Sequence, residues 1–175
     1  KTQYGIIGGA SVDDYWNDVI KKHELTRPAK EEDRKNHIRY TNCNTGPVFL
    51  AYNDNNKIDQ IVESVVAKDP EYDFLAVDDV RHQLWVISDQ EKVKEIENIF
   101  ESEIPQTYIA DGHHRAASAA GVGLERKKNN PNHEGNEEYN YFMAVHFPAS
   151  QLGILDYNRV IKDLNGLSPE QFIDK

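Results

Sequence analysis

YIADGHHRAASAA, residues 108–120, decides how this chain folds. A short apolar run closes on Asp111 and Gly112, two histidines and an arginine follow, and an alanine-rich helical pattern begins at once. The reading is strand, tight turn, helix. The strand is predicted over Gln106–Ala110, after Pro105. Ala116, Ala117, Ala119 and Ala120 are small enough to let the helix lie close on a sheet and keep the turn rigid.

Upstream, YGIIGGASV predicts a strand entering a turn, with Ser11 as a helix cap and Asp14 three residues on. Val12, Tyr15, Trp16, Val19, Ile20 and His23 follow one helical face, so a helix is expected to run on and stop before Pro28, since a residue before proline avoids helical angles. KEEDRKNHIRYT reads as a second, very polar helix and GPVFLAY as a strand. Ile58, Ile61, Val62, Val65 and Val66 recur as an amphipathic helix. EYDFLAVDD and RHQLWVISD predict a hairpin, and Asp89 a cap for a helix that buries Val93, Ile96 and Phe100. Residues 125–138 read as a mobile polar loop, Tyr141–Phe147 and Leu152–Tyr157 as strands, and LSPEQFIDK as the start of a helix. Mixed strands and helices with a hairpin predict an α+β fold, a mixed sheet with flanking helices, rather than a regular parallel wound sheet.

The 175 residues suit a single α+β domain or a fragment of a longer protein, and the start at Lys1 without methionine points to a fragment or processed piece. No run of about 18 apolar residues offers a membrane span, and no signal peptide opens the chain, so a cytoplasmic protein is expected. A net charge of -10 with interspersed acids and bases repels polyanions, so no nucleic acid is expected as partner, while a small-molecule substrate remains open. The single cysteine, Cys43, excludes an internal disulfide and reads as a plain loop thiol. Oligomeric state is not readable.

A helix start presents N–H groups without helical partners and the positive end of the helix dipole. Gly112 removes a side chain where a phosphate would approach the backbone, Arg115 offers a planar fork for two phosphate oxygens, and His113 and His114 add donors. Asp111 suits a helix cap, and equally a group holding a histidine or a metal ion. Zinc is a separate alternative, weakened because adjacent helical residues point about 100 degrees apart, so His113 and His114 do not grip one ion together; His133 and His146 would have to join through folding. His23, Glu24, Thr26 and Arg27, in KKHELTRP, are expected at a helix end, either as a solvated terminus or displaying polar groups into a cleft, with His23, Thr26 and Arg27 as substrate-binding residues. If the chemistry is phosphoryl transfer, Glu24 is the carboxylate to orient or deprotonate the acceptor hydroxyl, with Asp111 and His113 as its catalytic companions.

YIADGHHRAASAA, with VIKKHELTRPAKEEDR and NTGPVFLAY upstream and DYNRVIKDLNGLS downstream, resembles the family catalogued as domain of unknown function 1015 over most of the chain. Members of that family are longer, and the name assigns no activity. The motif alone is also similar to the ParB/sulfiredoxin fold, closest to the Asp-Gly-His-His-Arg form of its free serine kinases. That resemblance implies a ParB/sulfiredoxin-like nucleotide-binding core. Gly112, His113, His114 and Arg115 would hold the phosphate tail of ATP or ADP, and Asp111 would lie near Mg2+ or the acceptor. His113 stands where sulfiredoxin has its reactive cysteine, which argues against sulfinic acid reduction. The resulting expectation is a nucleotide phosphate-binding domain with phosphoryl transfer to a small hydroxylated metabolite such as an amino acid. The alternatives are a non-catalytic nucleotide-sensing or interaction domain, and a hydrolase with a histidine base.

Overall fold

The computed structural model describes residues 2–156 and 158–175. The chain forms β1 (Ile6–Ser11), α1 (Val12–Trp16), β2 (Ile20–Lys21), α2 (Pro28–Thr41), β3 (Val48–Tyr52), α3 (Asn56–Val66), β4 (Tyr72–Leu75), β5 (Arg81–Leu84), α4 (Gln90–Glu103), β6 (Thr107–Asp111), α5 (His113–Asn129), β7 (Tyr141–Pro148) and α6 (Pro169–Ile173). Five strands build one mixed sheet in the order β1-β7-β3-β6-β2, and β4 and β5 pair as a separate antiparallel hairpin. β7 is antiparallel to β1 and parallel to β3, while β6 is antiparallel to β3 and parallel to β2. The fold is α+β with flanking helices, as the pattern predicted.

Strand alternation puts these helices on one face. Phe142 and Ala144 of β7 are buried with α5, while His146, two residues on, meets Phe100 of α4 ring to edge. Residues two apart share a face, so α5 and α4 cover different parts of the same side. α3 joins α4 there through a cluster of Tyr52, Ile58, Ile61, Ile99 and Ile104. The opposite face carries Ile7, Phe49, Tyr108, Tyr141 and Phe147, none of them buried.

α5 is the central element, buried without interruption from Ala116 to Gly123. Small residues are a condition of that placement. At Gly123 an added Cβ would sit 2.5 Å from the Tyr139 carbonyl oxygen. α2, by contrast, has no buried residue and lies alongside α5 in the same chain direction. Ser118 Oγ donates to the Glu31 carbonyl at 3.0 Å, and Arg39 Nη2 to Glu125 at 2.7 Å.

Three expectations are corrected. The first helix stops at Trp16: Asn17 caps it, Asp18 takes a φ of 60° that no helix continues, and Ile20–Lys21 pair with Thr107–Tyr108 of β6. Pro28 therefore starts a helix instead of ending one, at the first-turn position where a missing N–H costs nothing. The alanine-rich helix continues to Asn129, five residues into the segment read as loop. No strand forms over residues 152–156, and Tyr157, the end of that expected strand, lies outside the described residues. Among the described residues no helix is long and apolar enough to cross a membrane.

Candidate functional site

β6 ends at Asp111, the chain turns at Gly112, and α5 begins at His113. Gly112 has a φ of 95°, in the left-handed region that favours glycine, and an added Cβ would meet the Arg115 guanidinium at 3.0 Å. Asp111 is no helix cap, since the cap position falls on Gly112, which has no side chain to bond. Its carboxylate instead accepts from Arg115 Nη2 at 2.6 Å. Arg115 Nη1 donates to the Pro47 carbonyl at 2.7 Å, so one guanidinium ties the end of β6 to the approach of β3.

His113 is 5% exposed, and its Nε2 is a buried polar atom with no hydrogen-bond partner. Its Nδ1 lies 3.5 Å from Glu24 Oε2, and the His23 ring meets it edge to face at 4.4 Å. Burial holds its pKa below the usual histidine value, and charge on His23 pushes the same way, against the weaker pull of Glu24. The ring is therefore neutral at neutral pH. With Nδ1 facing a carboxylate, its one proton belongs on Nδ1, leaving the lone pair on Nε2. His114 is not purely a donor: its Nε2 accepts from the Arg27 backbone N–H at 3.0 Å, pinning the start of α2 to the start of α5.

Glu24, Arg34, Asp111, Gly112, His113, His114 and Arg115 line an open cleft of about 400 Å³. His23 reaches the site through its ring contact with His113. Thr26 and Arg27 do not line the cleft, and Thr26 Oγ1 is committed to Glu31 Oε2 at 2.8 Å. KKHELTRP is not a helix end but the link from β2 to α2, for the reason given above. Arg34 escaped the sequence reading because α2 is polar all round. Only the parallel packing of α2 on α5 brings it to the cleft.

Among the described residues no group of three or more His, Cys, Asp or Glu side chains gathers to hold a metal ion. His133 is paired with Glu137 at 2.9 Å and His146 is bonded to the Ile6 carbonyl at 3.2 Å. Cys43 is exposed just beyond α2, its thiol donating to the Thr41 carbonyl.

No curated protein and no solved structure matches this chain. The model of a family described as a protein of unknown function, DUF1015, matches residues 1–175, and the chain belongs to that family.

Proposed function

We propose that the cleft at the start of α5 binds the phosphate tail of ATP or ADP and supports phosphoryl transfer to a small hydroxylated metabolite. The observation that carries this reading is His113, a buried imidazole whose Nε2 lacks a partner, in the turn where a 17-residue helix presents its free N–H groups. Buried polar atoms in folded proteins are nearly always bonded, so this one fits a ligand's donor. Helix N-termini favour anions through their N–H groups and dipole. The motif similarity to the ParB/sulfiredoxin fold points the same way.

The chemistry then divides between groups. The phosphate oxygens take the N–H groups of the first turn. Ligand entry has to uncover His113 Nε2; the acceptor hydroxyl then donates to it, and it receives the proton as the oxygen attacks the terminal phosphorus and the ADP oxygen departs. Glu24, at His113 Nδ1, stabilises the imidazolium so formed. This places Glu24 behind the histidine instead of alone against the hydroxyl. Mg2+ commonly binds through one or two carboxylates together with substrate phosphates, and Asp111, 74% exposed at the cleft, is the carboxylate that fits.

The test is calorimetric titration with ADP and ATP, with and without Mg2+, followed by transfer assays against hydroxylated amino acids. The wild-type chain is expected to bind ADP, and Glu24→Gln to bind equally while turnover drops about 10²- to 10⁴-fold. Binding without turnover in any acceptor assay would favour the nucleotide-sensing reading. A folded wild-type chain that binds neither nucleotide removes the proposal.

A further inference from the structure

We infer that the cation meeting the phosphate in this cleft is Arg34 of α2, and that Arg115, the arginine of the motif, is a structural clamp. The inference rests on the phosphate reading above and assigns its charge partner. Arg115 is already committed. Its charge is neutralised by Asp111 at 2.6 Å, and its second amino group holds the Pro47 carbonyl at 2.7 Å. Turning it onto a phosphate would give up these bonds and, where no Mg2+ lies between them, leave the Asp111 carboxylate beside the incoming anion, a like-charge contact.

Arg34 has the opposite situation. It is exposed, lines the same cleft, and among the described residues makes no ion pair and no side-chain hydrogen bond. Its position on α2 follows from helical spacing. Arg34 is i+3 from Glu31, whose carbonyl takes the Ser118 hydroxyl, and i−4 from Ile38, which packs on the core around α5. The stripe therefore faces α5. Helical side chains lean toward the N-terminus of their helix, and the N-terminus of α2 is fixed against that of α5 by the Arg27–His114 bond. An arginine two turns into α2 consequently reaches back to the Asp111–Arg115 turn. Glu31, the acid one turn before it on the same stripe, is already paired with Lys35 at 2.7 Å and bonded by Thr26. The phosphate then sits between the free N–H groups of α5 and a guanidinium from α2, and its binding draws the two parallel helices together.

The experiment is titration of the chain with ADP and with pyrophosphate, comparing wild type, Arg34→Ala, Arg34→Gln, Arg34→Lys and Arg115→Ala, each with a thermal melt. Both neutral Arg34 variants are expected to melt with the wild type and to bind both ligands about tenfold or more weakly, with partial recovery in Arg34→Lys. Arg115→Ala is expected to lower the melting temperature and, at a temperature where it is folded, to bind more tightly than Arg34→Ala. Wild-type affinity in the Arg34 variants, or a greater affinity loss in Arg115→Ala, overturns the assignment alone. A wild-type chain that binds neither ligand overturns the phosphate reading, and the assignment with it.

Discussion

Replacing Gly112 with alanine tests the turn on which both fold and site depend. Two separate penalties are expected. The first is conformational: at a φ of 95° a residue with a Cβ collides with its own backbone, which costs about 1–2 kcal/mol. The second is a collision with Arg115. The new Cβ would lie 3.0 Å from both Nε and Nη2, so the guanidinium must move. That movement strains its bond to the Pro47 carbonyl, a charged hydrogen bond of a half-buried side chain, worth about 1 kcal/mol after solvent exposure is allowed for. Little is added for Asp111, whose carboxylate is mostly in water. The sum is about 2–3 kcal/mol, which for a chain of this size lowers the melting temperature by about 4–12 °C.

Urea and thermal unfolding of Gly112→Ala, Arg115→Ala and the double variant separate the two penalties. With the guanidinium gone the steric part vanishes and the conformational part stays, so the double variant should lose about 1 kcal/mol less than the sum of the singles. An additive double variant would refute the contact between the Cβ position and Arg115. A Gly112→Ala chain within about 0.5 kcal/mol of wild type would refute the left-handed turn itself.

Acid titration should expose a second structural carboxylate. Burial raises the pKa of Glu137, but the N–H groups of residues 134, 137 and 135 and the Asn140 amide outweigh it and bring it to about 2, well below the usual 4.5. Because the folded value is the lower one, Glu137 stabilises the protein fully above pH 4.5 and loses that effect as pH falls from 4.5 toward 2. The urea midpoint of Glu137→Gln should therefore be lower than wild type at pH 6 and should fall less steeply across that window; parallel curves would remove the argument. His146 acts nearer neutrality. Burial lowers its pKa below 6.5, opposed by its bond to the Ile6 carbonyl. The unfolded chain thus takes up this proton first, and stability is lost as pH drops below 6.5, by at most about 1.4 kcal/mol per pH unit for one proton. His146→Gln should shallow that slope between pH 7 and 5, and an unchanged slope would place the titration elsewhere.

Local pattern was enough wherever an element is stabilised by its own periodicity. α3 and α4 present apolar stripes to one cluster, Asn55 and Asp89 cap them by accepting backbone N–H bonds, and β3 forms over the apolar run VFLAY. It failed where a distant partner competes. Val12 to His23 does carry a helical face, yet Ile20 and Lys21 gain more from pairing with β6, nearly ninety positions along the chain, than from a helix whose far side is water. The site divides along the same line. That Asp111 to Arg115 turn from strand to helix is local chemistry, and Gly112 alone nearly dictates it. Which of those side chains is free to meet a ligand is not local, because it depends on what packs against the turn. Pro47 occupies Arg115, the start of α2 occupies His114, and neither contact leaves a trace in the motif. The same packing that occupies the motif's arginine delivers Arg34 from a helix with no hydrophobic face to announce it. A motif fixes where a charge can be met; the tertiary contacts of its own side chains decide which residue is left to meet it.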